Sequence, residues 1–397
     1  TLTGGAGNDT LEGGAGADNL DGGTNTDTVS YASDTTGVTV NLGTNTVSGG
    51  DATGDTISNF ENATGGSGND ILTGSSSANA LTGGSGDDTL IGLGGADALT
   101  GGIGNDTADY SASGSGVTVN LSTGNGSGGD AAGDTLSGIE NVIGSGGVDT
   151  LTGDGDDNTL NGNGGSDNLF GGGGSDTLIG GGGSDFMNGG SGIDTVDYSD
   201  SAAGVTVDLQ AGSGTGGDAA GDTYDSIENI TGSGEDDTLR GNSGDNVIDG
   251  GNGNDTIDTN GGADTVTGGA GNDTFLIDDD LIDTSSASID GGTGQDTVVL
   301  ETATASTVDE IGLFDILSDI EVIDFSDGNV DADLDLDLSD IQSVTDGNNS
   351  LSILVNATGD SVNVSGFSSV VTVGSTTTYT WTDGGGATIG ELAVTTV

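Results

Sequence analysis

The 397-residue sequence contains no cysteine, no histidine and no lysine, and its single basic residue is Arg240. Each absence removes a class of chemistry. There is no histidine-dependent triad, HExxH zinc site, cysteine nucleophile, Schiff-base lysine or P-loop lysine, and GxSxG does not occur. No disulfide can form, so an extracellular setting requires another staple. No stretch approaches the roughly 18 apolar residues of a transmembrane helix, and no signal-peptide pattern is present. Nucleic acid and anionic membrane both need basic residues, so neither nucleic-acid binding nor membrane insertion is expected.

What is present is acid and glycine. Sixty-five Asp and Glu give a formal charge of −64, with 84 glycines and 30% hydrophobic residues. Such a chain is expanded by self-repulsion in plain water. It becomes foldable when a divalent cation neutralises the carboxylates, because metal-binding free energy is then folding free energy.

Twenty copies of one nine-residue pattern, Gly-Gly-x-Gly-x-Asp-x-(apolar)-x, fill nearly half the chain. They start at Gly4, Gly13 and Gly22; at Gly65, Gly74, Gly83, Gly92 and Gly101; and at Gly144, Gly153, Gly162, Gly171, Gly180 and Gly189. Further copies start at Gly232, Gly241, Gly250, Thr259 and Gly268, with an isolated one at Gly291. The eighth position is apolar in all twenty, as at Leu11, Leu72, Leu178, Ile257 and Phe275. Two constraints held in phase this long exclude a flexible Gly/Asp/Ser linker. The glycines permit tight turns and leave carbonyl oxygens bare. The sixth-position Asp adds a carboxylate, and oxygen ligands at this density suit Ca²⁺. The candidate metal ligands are therefore Asp9, Asp18, Asp27, Asp70, Asp88, Asp97, Asp106, Asp149, Asp167, Asp176, Asp185, Asp194, Asp237, Asp255, Asp264, Asp273 and Asp296. Asn79, Asn158 and Asn246 replace Asp in the second repeat of three blocks. That shared place points to a systematic cause: these loops are expected to bind calcium weakly or to use another stabiliser.

The nonapeptide resembles the RTX repeat region of Gram-negative proteins exported by type I secretion, over Thr1 to about Val299. The resemblance implies an all-β fold, a parallel β-roll or β-helix solenoid that folds on meeting calcium outside the cell. In a β-roll two nonapeptides make one 18-residue turn, and stacked turns lie about 4.8 Å apart. A loop and its counterpart two repeats later then share one ion, which gives about eight to eleven Ca²⁺ in two rows, with Asp88 paired to Asp106 and Asp167 to Asp185. The tail resembles the C-terminal regions of large RTX surface proteins at Asp340-Ile341, Gly359 to Val362 and Gly384 to Ile389. There it implies an uncleaved secretion signal and the type I secretion machinery as partner.

Three 34-residue insertions, 31–64, 110–143 and 198–231, align without a gap. Each begins with Tyr, carries Gly-Val-Thr-Val-x-Leu and then Gly-Gly-Asp-Ala-x-Gly-Asp-Thr, and ends in an apolar residue with Glu-Asn, as in Phe60-Glu61-Asn62. The Val-Thr-Val-x-Leu alternation is a strand signal, and 34 residues come close to two turns. The insertions are expected to continue the solenoid with a loop bulging at Gly-Gly-Asp; the alternative is that each is an excursion packing beside the roll. From Leu300 the nonapeptide stops, and residues 300–397 are expected to form a mostly β cap domain, since a solenoid needs its end covered. Strand signals lie at Ser352 to Val355, Ser361 to Val364, Tyr379 to Trp381 and Ala387 to Ile389, with a short helix at Ile311 to Leu317.

Weaker patterns are read as structural. Gly124, Gly126 and Gly129 satisfy GxGxxG in a glycine-rich chain with no cation for a phosphate. Asp331, Asp333, Asp335 and Asp337 start like an EF-hand, but Leu336 stands where the glycine belongs. They are read as an acidic strand face, Asp278 to Asp280 as a solvated turn, and Arg240 as a surface charge pair. Paired carboxylates abound, but in a periodic metal array and not a catalytic cleft. The expectation is a non-enzymatic, calcium-dependent structural protein of the bacterial exterior, an S-layer, matrix or filament subunit or part of an adhesin, with a calcium-dependent homo-oligomer or lattice. The chain opens in repeat phase without Met and is expected to be a piece of a longer protein. The alternative is accordingly the C-terminal module of a secreted protease or lipase whose catalytic domain lies upstream.

Overall fold

The computed structural model describes residues 1–277, 287–300, 316–324, 333–336, 350–355, 361–364, 369–373, 375–382 and 388–396. The chain is all-β, and its strands are mostly parallel, as the nonapeptide pattern predicts. Two compact units divide it, Thr1–Val196 with Gly221–Ile227, and Asp197–Ala220 with Glu228–Val397.

In the first unit the seventh to ninth positions of a repeat lie in a strand. It is three residues long at Thr89–Ile91 and Thr177–Ile179 and prolonged into the next repeat's first three residues at Ala80–Ser85, Ala98–Ile103 and Asn168–Gly173. Thr89–Ile91 lies parallel between Ile71–Thr73 and Thr107–Asp109, with Leu90 in register with Leu72 and Ala108. The intervening repeat joins a different sheet, pairing Leu81 with Leu99. Consecutive repeats therefore alternate between two parallel ladders, and each ladder advances by 18 residues. The eighth residue is the only inward side chain of its strand, and all twenty are buried, most at 0–1% exposure. The seventh and ninth residues face outward, so each ladder buries one face only, through this apolar column; each buried Leu or Val contributes about 1.5–3 kcal/mol.

The insertions continue the ladders. Val40 in Thr39–Asn41 registers with Leu72, Ile57 in Thr56–Ser58 with Leu20, and Ala63 in Asn62–Thr64 with both Val29 and Leu81. The second insertion repeats this through Val119 on Leu151, Leu136 on Leu99, and Val142 on Ala108 and Leu160. The departures are an antiparallel hairpin, Thr39–Asn41 with Thr46–Ser48, and a 3-10 turn at Gly50–Ala52 that buries Ala52. That turn is the expected Gly-Gly-Asp bulge.

In the second unit one ladder stacks Val207, Leu239, Ile257, Phe275, Val298, Ile323 and Ile353. The other stacks Ile230, Ile248, Val266, Ile289 and Leu317. Parallel pairing thus runs on past Val299, where the nonapeptide has ended, and Ser350–Val355 pairs in turn with Thr388–Thr396. An antiparallel strip of Ser369–Val373, Thr376–Thr382 and Thr388–Thr396 follows. Asp333–Leu336 is a strand, parallel to Ser361–Val364; Asp331 and Asp337 lie outside the described residues. So do Asp278 to Asp280, Asp340-Ile341, Gly359-Asp360, Gly384 to Ala387, and Ile311 to Asp315 of the expected helix, of which Leu317 is in a strand. Arg240 pairs with Asp258 at 2.8 Å and Asp208 at 3.6 Å, the surface charge pair expected of it.

Candidate metal centre

Beyond Asp9 and Asp18 of the first turn, each sixth-position carboxylate accepts a backbone N–H from the turn before it. The Asp70 N–H donates to Oδ1 of Asp88 at 2.8 Å, and the Asp88 N–H to Oδ1 of Asp106 at 2.8 Å. The same bond runs from Asp9 to Asp27, Asp149 to Asp167, Asp167 to Asp185 and Asp176 to Asp194. It also runs from Asp237 to Asp255, Asp255 to Asp273 and Asp273 to Asp296. Asn79, Asn158 and Asn246 donate their N–H groups to Asp97, Asp176 and Asp264. Sixteen of the seventeen predicted Asp residues thus stand in these rows through repeat partners, and Asp18 joins by donating to Oδ1 of Asp55.

The second oxygen is what the rows leave over. Oδ2 of Asp9, Asp27, Asp88, Asp97, Asp106, Asp167, Asp176, Asp255, Asp273 and Asp296 is buried without a hydrogen-bond partner. A buried carboxylate in this state is costly. Desolvation, opposed by the one N–H each accepts and reinforced by neighbouring Asp charges, pushes the carboxyl groups of Asp88, Asp167 and Asp255 up to about 7. Asp97, Asp176 and Asp273 are raised to about 6 for the same reason.

This oxygen converges with a backbone carbonyl from the next turn. A Cβ placed on Gly250 would lie 2.5 Å from Oδ2 of Asp255 and 2.7 Å from the carbonyl oxygen of Gly268. On Gly162 it would lie 2.5 Å from Oδ2 of Asp167 and 2.8 Å from the Gly180 carbonyl. The space a side chain would fill at the first glycine is therefore lined by hard oxygens, with one negative charge and neutral carbonyls at close spacing. That donor set fits Ca²⁺, which takes six to eight oxygens at about 2.3–2.6 Å. Among the described residues no three acidic side chains converge on one point; each turn supplies a single carboxylate, so the remaining ligands have to be carbonyls.

The twenty loops fall into two conformations. In fourteen the second residue has positive φ, from +58° at Asn260 to +130° at Gly102, and Leu93 and Asn163 adopt it as well as glycine. In the first two repeats after each insertion that residue lacks positive φ, and its N–H turns inward onto the sixth side chain. Gly66 donates to Oδ2 of Asp70, Ser145 to Asp149 and Ser233 to Asp237, each at 2.6 Å. Ser75, Asp154 and Asn242 donate to Oδ1 of Asn79, Asn158 and Asn246 at 2.6, 2.8 and 2.9 Å.

The insertions also supply ladder residues outside the repeat template. Asp55 and Asp134 take the sixth position, 37 residues after Asp18 and Asp97, and Asp222 does so after Asp185. Glu61 and Glu140 do the same with one more methylene, accepting the N–H groups of Asp27 and Asp106 through Oε2 at 2.8 Å. Glu321 accepts that of Asp296 at 2.9 Å. The signal was available: Asp55-Thr56-Ile57 and Glu61-Asn62-Ala63 repeat the acid-polar-apolar order of positions six to eight.

A family model of the RTX calcium-binding nonapeptide repeat, four copies long, matches residues 1–29, 60–90, 73–108, 134–169, 161–196, 222–257 and 240–275. Three of the matched stretches begin inside the insertions, at residues 60, 134 and 222, and so include Glu61, Asp134, Glu140 and Asp222. No curated protein matches the chain. No helix among the described residues is long and apolar enough to cross a membrane. With its period, its parallel ladders and its rows of buried carboxylates, the chain belongs to the RTX calcium-binding nonapeptide repeat proteins.

Proposed function

We propose that this protein is a calcium-dependent structural component of the bacterial cell exterior, an S-layer, matrix or filament subunit or a portion of an adhesin, that folds on calcium after export. The observation that carries the reading is the pair of carboxylate rows with buried, unpartnered Oδ2 atoms, in a chain of net charge −64. A cation-poor fold of this kind is stable only where calcium is plentiful, and loop sites of extracellular grade bind at about 10⁻⁴–10⁻³ M. Export as an unfolded chain through a type I machine followed by folding outside is consistent with that requirement.

The chain supports scaffolding over catalysis. Its acidic side chains are committed to a periodic array, and it has no His, Cys or Lys to act as base or nucleophile. Self-association is the finer part of the proposal. Once ions neutralise the loops, strands of Thr, Ser, Asn and Gly remain, with no Lys to block edge pairing, and calcium can bridge acidic surfaces of neighbouring copies. Light scattering of the purified chain at millimolar calcium tests it. Growth of assemblies with concentration is expected, and a strict monomer throughout contradicts the lattice or filament role.

A further inference from the structure

We infer that the two repeat turns following each insertion are closed by the chain's own donors in place of calcium, so that the calcium rows are interrupted at every insertion. The inference rests on the calcium-dependent reading above and divides its sites into two kinds.

The three asparagines carry it. Asn79 lies 18 residues after Glu61, Asn158 after Glu140 and Asn246 after Glu228, and each sits on the turn above that glutamate. Elsewhere the turn below offers an N–H, which a carboxylate accepts. At these places the backbone presents the opposite group. The N–H of Glu61 and that of Asn62 both turn back to the carbonyl of Asp27, and the Glu61 carbonyl faces up. Nδ2 of Asn79 donates to it at 2.5 Å, and Asn158 and Asn246 repeat the bond at 2.9 and 2.7 Å. A carbonyl oxygen facing up needs a donor. An amide supplies one, whereas an Asp would set a second lone pair against it and require a cation between them.

The other side-chain oxygen is closed as well. Oδ1 of each Asn accepts the N–H of its own loop's second residue, the bond made possible by the loop conformation without positive φ. The first repeat after each insertion is satisfied in the same way. Asp149 accepts from the Val117 N–H, the Ser145 N–H and the Ser145 hydroxyl, and Asp237 has the equivalent three. Within the insertions, Tyr31 and Tyr110 donate their hydroxyls to Oδ2 of Asp55 and Asp134 at 3.2 and 3.1 Å. That is the oxygen left without a partner in the open repeats. N–H groups and a phenol aimed at a carboxylate do what a cation does there, and an N–H pointing into the loop also repels one.

The test turns on the sign of an effect. If the Asn loops were merely weak calcium sites, Asn79→Asp, Asn158→Asp and Asn246→Asp combined would complete them and lower the calcium midpoint for folding. The inference requires the reverse: the triple variant of the full chain needs several-fold more calcium than the unsubstituted chain, read by circular dichroism. A lowered or unchanged midpoint overturns it. Should the variant not fold at any calcium concentration, the decisive measurement is an anomalous-difference map of the unsubstituted protein crystallised with calcium. Density is expected beside Oδ2 of Asp88 and Asp167 and none beside Oδ1 of Asn79 or Asn158. Density at all four overturns the inference while leaving the calcium-dependent reading intact, and density at none removes both.

Discussion

The N–H of Asp88 donates to Oδ1 of Asp106 across one turn of the roll, while Oδ2 of Asp106 stays buried and unpartnered. One carboxylate therefore has two separable duties, a hydrogen bond that sets the register of the loops and a charge that calls for a cation. Asp106→Asn keeps an acceptor for the Asp88 N–H and removes the charge; Asp106→Ala removes both. Both variants are expected to raise the calcium midpoint for folding, and Ala more than Asn by about 1–3 kcal/mol, the cost of a buried N–H left unpaired. Equal effects of the two would contradict the ladder role.

Core and surface are expected to respond differently in the calcium-loaded state. Leu90 and Leu169 are fully buried, and Leu→Ala at either should cost about 2–5 kcal/mol in denaturant unfolding. Ile103 is 75% exposed, and Ile103→Ala should stay within about 0.5 kcal/mol. A large loss at Ile103 would mean that this face is covered in the folded protein.

The close stacking of glycine loops can be tested by adding single methyl groups. Gly84 has φ +124°, and a Cβ there would collide with the Gly66 carbonyl of the preceding turn. Gly146 meets nothing within 4 Å and has no positive φ. Gly84→Ala should lower the melting temperature of the calcium-loaded protein markedly, and Gly146→Ala should leave it nearly unchanged.

The fold was legible through the resemblance that the nonapeptide carries, and the apolar residue kept in phase through Leu72, Leu81, Leu90 and Leu99 marked the column that the parallel ladders bury. Asp positions in the rows were legible for the same reason. What could not be read was the hydrogen bonding between turns, since the step along a row changes from 18 residues within a block to 32, 34 or 37 across an insertion. Asp55 and Glu61 escaped notice because Gly49, Gly50 and Gly54 precede Asp55 out of the nonapeptide phase and no glycine stands in the six residues before Glu61. The asparagines showed as an anomaly at Asn79, Asn158 and Asn246, but its cause lies in a carbonyl reversed at Glu61, Glu140 and Glu228 on the turn below, which no local pattern in the sequence reveals.

Proton competition gives a pH dependence of defined sign. Asp88, Asp167 and Asp255 have carboxyl groups raised from an ordinary 3.8 to about 7. Between those values the metal-free fold holds protons that the unfolded chain has released, so acid stabilises it, and this contribution is lost as pH rises through about 7. In chelator, β structure is expected to increase as pH falls from 8 to 5. The unfolded chain carries none of these protons between pH 5 and 8, so acid that favours the metal-free fold should lower the calcium concentration needed for folding over the same interval. A midpoint independent of pH would contradict the burial of these groups.

The central claim is that calcium is the counter-charge on which this fold depends, and a calcium titration followed by far-ultraviolet circular dichroism at neutral pH tests it most directly. In excess chelator the chain should lack strand signal, because carboxylates stacked one per turn cannot stay ionised and close together. Strand signal should then appear cooperatively as calcium is added. Magnesium should substitute poorly, since it demands a small octahedral shell and sheds water reluctantly. A full β spectrum in chelator at neutral pH, unchanged by calcium, would contradict the account.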